Sequence, residues 1–249
     1  MELWQLAVYG LVGFVMAILS GIAGAGAGFI TTPLGILLGL SPSQSVASGK
    51  LNGLGVAIGS LSGMGKSSEK VAKRRILPVM ALAFVVGLLS PHVIKSLDND
   101  FYRIALGIIL LLMIPLVIYK HVGLRSYRPK IWQKIGGSGL LTLSLFLQGV
   151  FSGGVGSLVN IVLMGMLGMT AFEANVTKRW SQLILNTTII VGLLSSGLIQ
   201  WPVAFVGFGC TLAGSFIGGQ MAATRGNAFI MRIMVLLMLV SGVALLWSA

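Results

Sequence analysis

The sequence predicts an all-α polytopic membrane protein made of two inverted-topology repeats with broken or re-entrant helices. Three observations lead there. The 249 residues are 56% hydrophobic and only 9% charged, against about 25% charged in a soluble domain. The apolar runs are continuous, not alternating, which selects helices over a barrel. The order of apolar segments is given twice, with basic loops falling at opposite points of the two copies.

In the first copy, residues 3–24 form one apolar run and residues 29–40 a short second one. The turn Ser41-Pro42-Ser43-Gln44 follows, then a third run over 45–63 that carries Lys50 and Asn52. Runs over 76–97 and 101–119 complete the copy. In the second copy the runs are 131–152, 158–168, 174–194, 201–222 and 229–247, with the turn Met169-Thr170-Ala171-Phe172 after the short one. The natural division is a first repeat at 1–121, a basic linker at 122–130 containing Pro129, and a second repeat at 131–249. The first run has Glu2 before it and no basic start, so it reads as a membrane segment and not a signal peptide.

The repeat can be aligned residue by residue. Gly21, Gly26 and Gly28 match Gly149, Gly154 and Gly156 at an offset of 128. Gly39, Ser41, Gln44, Ser48 and Lys50 match Gly168, Thr170, Glu173, Thr177 and Arg179 at an offset of 129.

The formal net charge is +12, yet its distribution excludes a nucleic-acid partner. Loop 66–75, the linker region 120–134 and loop 224–232 together hold twelve of the seventeen Lys and Arg residues. Short basic loops face the cytoplasm. The loops at 95–103 and 195–200 carry no net positive charge and are expected outside, as are both termini. Equivalent loops then lie on opposite sides, as expected for repeats related by a pseudo-two-fold axis in the membrane plane. The short runs reach roughly 16–18 Å at about 1.5 Å per residue, less than an approximately 30 Å hydrocarbon core. They are re-entrant half-helices or broken spans; both choices leave an odd number of crossings per repeat.

Paired interruptions in an inverted repeat point to a transport site. Glycine permits the break, and a half-helix N-terminus offers partial positive charge to an anion. The candidate residues are therefore Gly24, Gly26 and Gly28 in the first break and Gly153, Gly154 and Gly156 in the second. Lys50, Lys178 and Arg179 are basic residues inside apolar runs, where a cation costs around 2.5–3.5 kcal/mol. Their excess of positive charge points to a small anionic substrate, with Glu173 as a partner for Lys178 or Arg179. Thr31, Thr32, Asn52, Asn160, Gln182 and Asn186 are candidates to line the same site. Gly214 and Gly218 form a GxxxG face for packing within the chain or between protomers, which would allow a homodimer in the lipid bilayer. The single Cys210, and His92 and His121 on opposite predicted sides, offer no metal pair. No cofactor, metal site or catalytic residue is expected, and the chain is not read as an enzyme.

The stretch Gly24-Ala25-Gly26-Ala27-Gly28-Phe29-Ile30-Thr31-Thr32-Pro33, followed by Gly39-Leu40-Ser41-Pro42, resembles the sulfite exporter TauE/SafE family, and a degenerate copy recurs at 153–156 and 168–170. The resemblance implies an inner-membrane permease for sulfite, sulfonates or other small organic anions. The chain departs from the family pattern at Ala27, at Ile161 in place of the second proline, and at Lys50, Lys178 and Arg179, where small neutral residues are common. A passive anion channel and a non-transporting membrane partner protein are the competing readings.

Overall fold

The computed structural model describes residues 2–24, 27–96, 126–127, 129–151 and 155–247, with 27, 29 and 234–247 by backbone alone. The run predicted over 101–119 and most of the linker lie outside the described residues. Those described are mostly helical, with no strand among them. The helices are α1 (Leu3–Ala23), α2 (Ala27–Leu37), α3 (Pro42–Met64), the single turn α4 (Lys66–Glu69), α5 (Lys73–Ser96), α6 (Ile131–Phe151), α7 (Gly156–Gly165), α8 (Ala171–Leu193) and α9 (Trp201–Trp247).

Helix starts follow from local chemistry. The Ser41 hydroxyl accepts from Gln44 N–H at 3.2 Å while Ser41 N–H donates to the Gln44 side chain at 3.1 Å. This closes a capping box in front of Pro42. Thr170 and Glu173 repeat the device at the start of α8, at 3.2 and 2.9 Å. These are the two turn pairs matched at offset 129. At the end of α1, Gly24 takes φ 69° and its N–H returns to Ser20 O at 2.8 Å.

Helices α1, α5, α6 and the 201–233 part of α9 are long and apolar enough to cross a membrane. The 23-residue α3 and α8 are equally long, about 35 Å. They are more polar and sit inside the bundle, with Lys50, Asn52, Lys178 and Arg179 all buried. As expected from the two runs over 201–222 and 229–247, α9 consists of two helical arms, which meet at a kink at Gly226 (φ 76°, ψ 177°). A left-handed glycine turns the chain there without a loop.

Glycine contacts give the helix directions. Along α9, Val206 and Cys210 face Gly10 and Gly218 faces Gly21, so α1 and α9 run parallel. Gly55 faces Phe208 and Gly63 faces Phe216, so α3 runs the same way. Similarly, Gly87 meets Leu185 and Thr188, Pro91 meets Gly192, and Gly149 meets Ser90 and Ile189. Hence α5, α6 and α8 form a second parallel set. The two sets are antiparallel: Gly21 O accepts from both Ser60 and Asn175, while Lys50 reaches Gly149, which lies on Ile189.

This decides what the short helices do. Since α1 and α3 are parallel, α2 must return the chain to the end where α1 starts, and Leu40 indeed packs with Tyr9 and Val203. Likewise α7 returns the chain to the start of α6, where Met166 and Leu167 lie on Gly137. Each short helix is thus the returning limb of its pair, as both a re-entrant hairpin and a broken span require. The packing is exchanged between halves of the chain: α9 lies mainly on α3 and α1, and α5 on α8 and α6. Gly214 and Gly218 are used within the chain, where added Cβ atoms would meet Phe14 O and Ile18 O at 2.3 and 2.1 Å.

Gly24→Ala will lower the apparent melting temperature in detergent well below that of Gly39→Ala. Both positions have positive φ, costing about 1–3 kcal/mol for a side chain. Only at Gly24 would the new Cβ also meet Asn160 Nδ2 at 2.4 Å; at Gly39 it meets nothing within 4 Å. Equal melting of the two variants would contradict the packing described for this break.

Candidate functional site

The middle residue of α3 is Gly53 and that of α8 is Gln182, and these two touch: Gln182 Nε2 donates to Gly53 O at 3.2 Å. They are also partners in the 129-residue offset. Matched residues of the two copies therefore meet where α3 and α8 cross, halfway along both helices.

A cavity of about 50 Å³ lies at this crossing. At about 10–15 Å³ of enclosed space per water, it has room for roughly three to five waters. Its walls come in equivalent pairs: Ser20 with Gln148, Gly28 with Gly156, Gly49 with Lys178, and Gly53 with Gln182. Thr31, Thr32, Asn52, Val56, Arg179 and Asn186 complete it. No carboxylate is among the lining residues.

The cations are held by backbone carbonyls at helix ends. Arg179 Nη2 donates to Ser20 O and, at 3.3 Å, to Ser20 Oγ, while Nη1 donates to Gln182 Oε1 at 3.0 Å. The Lys178 ammonium donates to Gly24 O. Lys50 donates to Gly149 O and, at 3.1 Å, to Gln148 O. The arrangement is reciprocal: Lys50 of α3 closes the end of α6, and Arg179 of α8 closes the end of α1, at equivalent positions. Cations at helix C-termini meet both unpaired carbonyls and the negative end of the helix dipole. Asn160 Nδ2 donates to Ala23 O and Gly24 O at 3.2 and 3.0 Å, and Asn175 Nδ2 to Gly21 O and Ile22 O at 3.2 and 3.0 Å.

The Arg179 Nε–H, Gln148 Oε1 and Asn52 Oδ1 are buried without a hydrogen-bond partner. The Lys178 ammonium also stands so close to Gly156, the first residue of α7, that an added Cβ there would lie 2.5 Å from Nζ. Two cations and the positive end of a short helix therefore converge without a counter-charge.

Of the residues picked out in the sequence, Gly28, Thr31, Thr32, Asn52, Gly156, Lys178, Arg179, Gln182 and Asn186 line the cavity. Lys50, Gly24 and Asn160 stand behind it, bonded as just described. Gly26, Gly153 and Gly154 lie outside the described residues. Glu173 does not pair with Lys178 or Arg179. It bonds Arg75 Nη1 at 2.9 Å, because it sits in the first turn of α8, level with the start of α5. Ser20 and Gln148 escaped notice in the sequence. Their signal was available: both are polar, inside apolar runs, one residue before the matched Gly21 and Gly149. Among the described residues, no group of three or more His, Cys, Asp or Glu side chains could hold a metal.

A multi-pass helical bundle with a small cation-lined polar cavity midway along its two polar helices has the build of a membrane transporter. Residues 9–245 match the sulfite exporter TauE/SafE family model, and the chain belongs to that family. It is 26% identical to a probable membrane transporter protein of Haemophilus influenzae, over 94% of this chain and 91% of that one. It is also 24% identical to the probable membrane transporter protein YjnA of Bacillus subtilis, over 95% and 98%. With probable membrane transporter protein ORF9 of Sinorhizobium sp it shares 23% identity, over 94% and 89%. No solved structure matches the chain.

Proposed function

We propose that this transporter carries a small sulfur-containing or organic oxyanion, of the size of sulfite, through the cavity between α3 and α8. The observation that carries the reading is the pairing of Lys178 and Arg179 at that crossing, with no carboxylate in the lining and with Arg179 Nε–H unbonded. An oxyanion would accept from that N–H and from the Lys178 ammonium in charge-assisted bonds, roughly twice as strong as neutral ones. The side-chain amide of Gln148, turned so that its NH2 faces the cavity, would add a further donor. The family description supports the sulfur-containing class, and the 50 Å³ volume favours the small members of it.

The reading includes the architecture. Antiparallel helix sets, the reciprocal cation bonds and the offset cavity walls support two inverted repeats, 1–121 and 131–249, joined by the linker 122–130. Alternating access would come from movement of one set against the other. Lys178 and Arg179 connect the two events, since each ties α8 to α1. An anion that competes with Gly24 O and Ser20 O for these donors loosens that tie as it binds. The protein would lie in the cell inner membrane with the 66–75 loop inside and both termini outside, and would do no covalent chemistry.

Purified protein in liposomes will show counterflow of labelled sulfite, competed by thiosulfate or sulfoacetate. Arg179→Gln will raise KM roughly 10–100-fold, the loss of one or two charge-assisted bonds of about 1.5–3 kcal/mol. Uptake of no anion sinks the reading, and uptake without counterflow makes the protein a channel.

Orientation has its own check. In a Cys210→Ser background, an impermeant maleimide will label Ser195→Cys in intact cells and Glu69→Cys only after permeabilisation. Both replaced residues are exposed, at opposite ends of the bundle. The reverse pattern would invert the topology.

A further inference from the structure

At the end of the bundle that carries the basic loop, a cleft of about 920 Å³ opens between the first turns of α5 and α6. It is independent of the cavity between α3 and α8 and shares no residue with it. Its mouth holds Arg74, Arg75 and Lys134; its floor is Val79, Leu82 and Leu141. Arg75 is already neutralised by Glu173, which is the one ion pair among the described residues. Arg74 and Lys134 are exposed and have no carboxylate partner among the described residues.

The setting fixes the depth of this cleft. Trp132, one turn from its edge, is 63% exposed, and Ile131 and Ile135 beside it are 76% and 71% exposed. Leu77 on α5 is 59% exposed. An exposed tryptophan among exposed aliphatic residues at a helix start belongs at the membrane–water boundary. The cleft therefore begins among lipid headgroups and descends along α5 from Arg74 to Leu82, about 12 Å. Cations at the rim and an apolar floor below match one molecule in charge and in amphipathic order.

We infer that this cleft binds an anionic phospholipid, its phosphate between Arg74 and Lys134 and an acyl chain against Leu82 and Leu141. A soluble phosphate would have use for the rim alone. A zwitterionic lipid would bring a choline or amine to a mouth that already has two unpaired cations. Basic pockets between helices on the cytoplasmic side are a known form of headgroup site.

The test is native mass spectrometry of the full chain released from micelles, titrated with phosphatidylglycerol or phosphatidylcholine. Expected are discrete phosphatidylglycerol adducts, at least tenfold weaker in the double variant Arg74→Gln, Lys134→Gln. Ser138→Trp, which keeps every charge and fills the cleft from an exposed position, will lose them too. Equal binding of the two lipids, or binding unchanged in the double variant, would overturn the proposal. So would adducts that survive Ser138→Trp, which would mean diffuse charge attraction. Glycerol phosphate binding as well as the lipid would show a free-anion site instead. None of these outcomes depends on whether sulfite is transported.

Discussion

Three cations are buried in the middle of this bundle, and no acidic side chain neutralises them among the described residues. They are held instead by carbonyls that helix ends leave over. A helix exposes its last four carbonyls wherever it stops, and in a membrane interior no water is at hand to satisfy them. Lysine and arginine inside the membrane have the opposite problem. Breaking α1 at Gly24 and ending α6 near Phe151 places the two deficits together, so each removes much of the cost of the other. The short return helices, the glycine at the break and the polarity of α3 and α8 are all consequences of that exchange.

The exchange also couples the two sets of helices. Arg179 and Lys178 belong to α8 but serve α1; Lys50 belongs to α3 but serves α6. Neither half of the chain can satisfy its own broken helix with its own cation. The mutual packing of α9 on α3 and α5 on α8 follows the same rule. A two-domain reading that assigned each half a separate core would miss this, since the carbonyls and the donors come from different halves.

Much of this was legible in the sequence where the signal is local. The capping boxes at Ser41 and Thr170 need only residues three apart, and the apolar lengths of α1, α5 and α6 need only composition. The offset of 128 to 129 also predicts that Lys50 and Arg179 play matched parts. What remained hidden depends on facing and direction. Glu173 stands six residues from Arg179 in the sequence, yet its carboxylate lies in the first turn and meets Arg75 from another helix. Whether residues 29–40 return or re-enter cannot be read from their length, because a break at either end permits both. The parallel contacts of α1 and α3 with α9 show the direction in which α2 runs, a direction that both arrangements share. Ser20 and Gln148 were overlooked because a lone polar residue in an apolar run usually bonds its own helix, as Ser144 does with Leu140 O.

The repeat is unequal where it matters for charge. In the cavity walls, Gly49 is the equivalent of Lys178, and Gly53 that of Gln182. The second half thus places the long polar side chains, while the first half makes room for them by having none. Lys50, the equivalent of Arg179, is absent from the cavity walls and bonded to α6. Perfect symmetry would place two lysines and two arginines around one small space, and their mutual repulsion would have no carboxylate to relieve it. With a glycine in place of one lysine, and with Lys50 engaged by the carbonyls of Gln148 and Gly149 behind the cavity, two cations converge on the cavity. The asymmetry therefore follows from the same constraint as the fold: inside the membrane every charge needs a partner, and the anion we propose as substrate would supply the remaining one.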